Sequence, residues 1–233
     1  MKLALFDLDH TLLPIDSADT WSHFLVARAG LPADETGARI REFARTYKAG
    51  CFDVDAYLAF QMGMLARFPR AQLEAWRAEF FAIYVEPALR PEAFALVESH
   101  RQAGDTLALV TGTHAFVTQP IALRLGIPHL LAVRPEEDGN AEFTGRYTGT
   151  HTYLEGKVRA VEGFLAERGA SWDSLESVVF YSDSINDLPL LERVAAAGGR
   201  AVATHPDPRL AAVAAERNWP VLQLFDELVP SHA

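Results

Sequence analysis

The sequence predicts an α/β fold: a doubly wound parallel sheet with an inserted α-helical segment. Three observations predict it. Short apolar runs alternate with helical stretches from about residue 87 onward. A block of helical periodicity with no strand separates the first apolar run from the others. Acidic, hydroxyl or glycine residues stand where several of the runs end. Alternation of this kind implies parallel strands with helices on both faces. Ligands in such sheets sit beyond the carboxyl ends of the strands.

The elements follow in order. Lys2–Phe6 reads as a buried strand that delivers Asp7. Between Asp16 and Val85, the stretches Asp19–Ala29, Ala38–Tyr47, Val54–Leu65 and Ala71–Tyr84 carry apolar residues at helical spacing, broken by Gly30-Leu31-Pro32, Gly50 and Pro69. After Pro87 and Pro91 come a helix (Glu92–Ala103), a strand (Thr106–Val110) and a helix (His114–Leu125). The run Leu130–Arg134, the turn Asp138-Gly139-Asn140 and Glu142–Tyr147 predict a hairpin. A helix over Gly156–Arg168, a strand at Val178–Tyr181 and a helix from Asp187 follow. Ala201–Ala203 and Val221-Leu222 read as further strands, with a helix over Leu210–Glu216 between them. The expected division is a core of residues 1–15 and 87–233 and a helical domain of residues 16–86.

Composition narrows the function classes. Of 233 residues 49% are hydrophobic and 22% charged, as in ordinary globular proteins, and the net charge is −10. Such a charge repels phosphate backbones, which argues against nucleic acid as a partner. Asp7 and Asp9 interrupt the first apolar run too early for a signal peptide, and no run approaches the ~20 apolar residues of a membrane span. The one cysteine, Cys51, fits a reducing compartment, so a cytoplasmic location with no membrane partner is expected.

Four strand ends carry the chemistry. In Asp7-Leu8-Asp9-His10-Thr11, extended backbone turns both carboxylates the same way, and like charges that close need a proton or a cation between them. In Val110-Thr111-Gly112-Thr113, the Thr111 hydroxyl and the open Gly112 amide suit an anion at a helix start. Lys157 stands near a helix start, where the dipole disfavours a cation unless anions lie close by. In Asp183-Ser184-Ile185-Asn186-Asp187, two carboxylates and an amide are hard oxygen ligands that suit Mg²⁺. Each alone has an ordinary reading: a cap, a turn or a solvated lysine. Together they supply a nucleophile, a second acid, anion donors and a metal site in one sheet.

With all four motifs in this order, the sequence resembles the haloacid dehalogenase superfamily of phosphatases. The helical segment is similar to that family's first-position (C1) cap on a Rossmann-like core. Thr111-Gly112-Thr113-His114-Ala115-Phe116-Val117-Thr118 and Gly156-Lys157-Val158 look like its phosphoserine phosphatase and histidinol-phosphate phosphatase branch. The resemblance implies that Asp7 is phosphorylated and that Asp9 acts as acid and base. It implies that Thr111, Gly112 and Lys157 bind the phosphoryl oxygens. Mg²⁺ would be held by Asp7, the Asp9 carbonyl and Asp183, supported by Asn186 and Asp187. The partner would be a small phosphate ester, and a phosphotransferase or mutase shares the first half-reaction. Ser182 and Ser184 depart from the glycines that many members carry around Asp183. Asp16 either reads a substrate amine or caps a helix. Arg45, Lys48 and His114 either face the substrate or lie on helix surfaces.

Overall fold

The computed structural model describes residues 1–226, the side chains of Ala33 and Lys48 excepted. Six parallel strands form the sheet: β1 (Lys2–Phe6), β2 (Thr106–Val110), β3 (His129–Leu131), β6 (Ser177–Ser182), β7 (Arg200–Thr204) and β8 (Val221–Leu222), in the order β3-β2-β1-β6-β7-β8. A separate antiparallel pair, β4 (Arg134–Glu137) and β5 (Phe143–Thr148), makes the hairpin.

The near-continuous apolar strands are covered on both faces, as parallel sheets require. One face turns Ala4, Phe6, Leu107, Leu109, Val179 and Tyr181 toward α5 (Pro91–Gln102) and α6 (Ala115–Leu125). The other turns Leu3, Leu5, Ala108, Val110, Val178 and Phe180 toward α7 (Glu155–Ala166), α8 (Leu188–Ala196) and α9 (Pro208–Arg217). This is the doubly wound architecture expected from the alternating pattern.

The insertion folds as α1 (Ser17–Ala29), α2 (Ala33–Ala49), α3 (Val54–Leu65) and α4 (Arg70–Phe80), closed by a π turn over Phe81–Val85. Its apolar interior is continuous with the first face of the sheet. The Trp21 ring lies 5.3 Å from that of Phe80 and 5.9 Å from that of Phe116 on α6. The buried rings of Trp21, Phe24, Trp76 and Phe80 are therefore packing groups. No helix among the described residues is long and apolar enough to cross a membrane.

Two expectations about elements need correction. The run Leu130–Arg134 does not enter the hairpin intact. His129–Leu131 pairs in parallel with β2, and the chain leaves the sheet before Arg134 begins β4. A short apolar run does not declare its partner, and here the edge of the main sheet claims it. The fourth helix ends as an α-helix at Phe80 rather than Tyr84, because the following turn widens to π spacing before Pro87.

Candidate active site

Register brings three strand ends level. Phe6 pairs with Leu109 on one side and Tyr181 on the other, so Asp7 leaves β1 beside Val110 and Ser182. The Asp7 amide still donates to the Tyr181 carbonyl at 2.9 Å, which holds the residue as a last rung of the sheet. Asp7, Thr111 and Asp183 thus emerge along one edge. The helix start carrying Lys157 approaches from the second face.

Lys157 binds the cluster together. Its Nζ donates to Asp7 Oδ1 at 2.7 Å and to Asp187 Oδ2 at 2.6 Å, and the residue is 4% exposed. Ser182 Oγ donates to the same Asp187 oxygen at 2.7 Å. Ser182, which departs from the glycine that many members of the resembled family carry, therefore orients a carboxylate. Thr11 Oγ1 reaches Asp183 Oδ1 at 3.4 Å. Asp9 is held from two sides: Oδ1 accepts the Ser17 amide at 2.7 Å and Oδ2 accepts the Thr113 hydroxyl at 2.8 Å.

The turn that carries Thr111 is fastened independently. Its amide donates to Leu131 O, and its carbonyl accepts the Thr152 hydroxyl at 2.6 Å. Gly112 follows because a Cβ there would come within 2.7 Å of the Tyr153 ring. Gly156 opens α7 because a Cβ would collide with the His151 carbonyl.

Burial dominates the electrostatics. It pushes Asp7 up to about 7, opposed by Lys157 and reinforced by Asp187 and Asp9. It pushes Asp9 up to about 6, helped by Asp16. Asp183 is raised well above the usual range by burial, then by Asp7 and Asp187. Burial alone would lower the Lys157 ammonium, but Asp187 and Asp7 outweigh it and hold the group above its ordinary value. Asp7, Asp9, Asp183 and Asp187 thus lie in one cavity with a single ammonium that bonds only Asp7 and Asp187, a donor set of hard oxygens short of positive charge. No group of three or more His, Cys, Asp or Glu side chains is gathered for a metal among the described residues. The expected set asks for only two side chains plus the Asp9 carbonyl.

The cluster floors a cavity of about 870 Å³, open solvent at its mouth included, whose far wall comes from α1, α2 and α3. Asp16 lines it and also caps α1, accepting the Asp19 amide at 2.8 Å, so the cap reading holds for a residue that stands at the cavity as well. Burial raises its carboxyl, with His10 opposing. Thr111, Gly112 and Asn186 also line the cavity. Arg45 and His114 do not. Arg45 lies on the solvent face of α2, paired with Glu42 at 2.7 Å. His114 is 3% exposed beneath α6, where its backbone enters the helix and its ring is turned into the apolar interior. The side chain of Lys48 lies outside the described residues. The sequence does not single out Thr113, Ser17, Phe43, Tyr47, Phe52, Tyr57 or Tyr153, and Phe60, which reads there as cap core at helical spacing, lines the cavity as well. Thr113 was visible within its motif, but a cap and a working hydroxyl look alike there.

Comparison with known proteins follows the same lines. Residues 4–192 match the haloacid dehalogenase-like hydrolase family model. A histidinol-phosphatase of Neisseria meningitidis serogroup C (strain 8013) is 39% identical over 221 residues, covering 95% of this chain and 98% of that one. The phosphoserine phosphatase SerB1 of Mycobacterium tuberculosis (strain ATCC 25618 / H37Rv) is 32% identical over 222 residues, covering 94% and 69%. A solved protein of unknown function from Bordetella pertussis Tohama I superposes with a TM-score of 0.87 at 41% identity, covering 96% of this chain and 99% of that one.

Proposed function

The chain belongs to the haloacid dehalogenase-like hydrolase family and is a phosphatase, and from that premise we propose that it hydrolyses a small, amine-bearing phosphomonoester through a phosphoryl group carried on Asp7. The observation that carries this reading is the buried contact of Lys157 with both Asp7, at the end of β1, and Asp187, in the turn that follows the adjacent parallel strand β6.

In the first half-reaction an Asp7 carboxylate oxygen bonds to phosphorus as the ester P–O bond breaks. Asp9 gives its proton to the leaving oxygen, and its raised pKa suits that task. In the second, Asp9 takes a proton from water, whose oxygen bonds to phosphorus as the bond to Asp7 breaks. Orthophosphate leaves and both carboxylates are restored. Dividing the displacement in this way replaces one difficult step by two easier ones. Thr111, the Gly112 amide and Lys157 hold the phosphoryl oxygens, where transition-state charge collects.

The donor set fits Mg²⁺, which Asp7, the Asp9 carbonyl and Asp183 would hold, with Asn186 and Asp187 in support. Bound there, Mg²⁺ supplies the positive charge that lets an anionic nucleophile approach an anionic ester. The helical segment 16–86 serves as the cap that reads the rest of the substrate, with Asp16 meeting its ammonium group. Histidinol phosphate and phosphoserine are the two esters of this type that the relatives' names offer. A single, free Cys51 favours a reducing compartment such as the cytoplasm.

Turnover of p-nitrophenyl phosphate tests the reading. Protein stripped with EDTA should lose hydrolysis and regain it on adding Mg²⁺. Undiminished hydrolysis after thorough chelation, or none with Mg²⁺ present, contradicts it.

A further inference from the structure

Beyond the carboxylates, the cavity has a second chemical character. Helix α2 contributes Phe43, the following loop Phe52, helix α3 Tyr57, and the loop before α7 Tyr153. Their rings form a continuous wall. Tyr57 lies 5.3 Å from Phe43, 5.0 Å from Phe52 and 5.9 Å from Tyr153, and Phe52 lies 5.6 Å from Tyr153. Tyr153 also lies against Gly112, so the wall begins at the phosphoryl-binding turn itself. The wall and the acids face one volume. Asp16 acts electrostatically on both Tyr57 and Tyr153, and Asp9 acts on Tyr57.

Charge on the lining is one-sided. Asp7, Asp9, Asp16, Asp19, Asp183 and Asp187 line the cavity, and among the described residues the only basic side chains there are Lys157 and His10. Lys157 is already engaged with Asp7 and Asp187. A substrate that brought a second anion beside its phosphate would set it among carboxylates. A cation would meet Asp16, and a flat ring would meet aromatic faces.

We infer that the wall of Phe52, Tyr57 and Tyr153, facing Asp16, is the specificity subsite of the cleft, and that it takes a phosphomonoester whose arm carries a cationic amine and a planar unsaturated ring but no carboxylate. This rests on the phosphatase reading above and decides between the esters that reading leaves open. Ring stacking and cation–π attraction reward an imidazole-bearing arm. A carboxylate is rejected by like charge, so selection works by repulsion as well as fit. L-Histidinol phosphate has all three features, whereas O-phospho-L-serine has the amine and the excluded anion.

The test is kcat/KM on four esters: L-histidinol phosphate, O-phosphoethanolamine, O-phospho-L-serine and glycerol 2-phosphate. The wild-type protein should prefer histidinol phosphate to phosphoethanolamine by roughly tenfold or more, and phosphoethanolamine to phosphoserine. Tyr153→Leu and Tyr57→Leu should each shrink the first ratio by roughly tenfold, with Tyr153→Phe retaining most of it. Phosphoserine turned over as well as phosphoethanolamine overturns the subsite, as does an unmoved ratio in a folded leucine variant. The wild-type comparison stands even where a variant fails to fold. Hydrolysis of glycerol 2-phosphate with no selectivity refutes the subsite alone. Failure of every ester refutes the phosphatase reading beneath it.

Discussion

Asp9 sits where three parts of the chain meet. It follows β1, accepts the first amide of α1 from Ser17, and accepts the hydroxyl of Thr113 from the β2 turn. A carboxylate fixed from both sides would lose little freedom in the acid–base role proposed for it. His114, next to Thr113, illustrates the opposite situation. Its ring is buried with neither nitrogen hydrogen-bonded among the described residues, and burial pushes it down to about 4. The folded protein therefore holds this ring neutral, while the unfolded chain protonates it below about 6.5. Between those values the unfolded state binds the extra proton, so this contribution is complete above about pH 6.5 and is lost as pH falls toward about 4. Replacing His114 by Leu should remove roughly 2–3 kcal/mol of acid sensitivity between about pH 7.5 and pH 4.5. Urea midpoints of both proteins at the two pH values measure it, and parallel pH dependences would contradict it. At this scale the sequence was readable where chemistry is rare and clustered. Asp7, Asp9 and Asp183 stood out because such groups seldom end apolar runs, and Lys157 because a cation seldom stands at a helix start. Tyr153 and Phe52 did not, because an aromatic residue that lines a cavity looks the same in sequence as one that fills a core.

Among the elements, α4 shows how the insertion is tied to the core. Its N-terminal neighbour Pro69 provides no side-chain cap. The orphaned Arg70 amide donates instead to Glu142 Oε2 at 2.7 Å, across from the hairpin. The Arg70 guanidinium reaches Glu137 on β4 at 2.6 Å as well. A helix capped from another element couples two parts of the fold. Glu142→Ala should cost about 1 kcal/mol of stability, in line with loss of a helix cap. The denaturant midpoint reports it, and an unchanged midpoint would mean that water satisfies the amide equally well. Elements with strong periodicity or continuous apolar runs were legible: β1, β2, β6 and α3 lie where the pattern places them, within a residue or so. The segment His129–Arg134 was not, since its division between the main sheet and the hairpin is decided by the open edge of β2. Nothing within six residues encodes that choice.

For the whole molecule, a net charge of −10 and a cavity rich in aspartate describe the same economy of charge. Carboxylates crowd the sheet edge, burial raises several of them, and Lys157 neutralises only part. Such a site is short of positive charge, which is what the proposed Mg²⁺ and substrate amine would bring. Helices α1–α3 close over the strand ends, so the carboxylates and the aromatic wall enclose one volume. The doubly wound fold and the convergence of its strand ends could be anticipated from the alternating pattern. The aromatic ceiling required three-dimensional placement of segments about a hundred residues apart. The most direct trial of the central claim is acid quenching during turnover, followed by peptide mass analysis. The account predicts one phosphoryl group on Asp7, labile at high pH as an acyl phosphate is, and absent from Asp7→Asn protein. A label on another residue, or rapid turnover by Asp7→Asn protein, would contradict it.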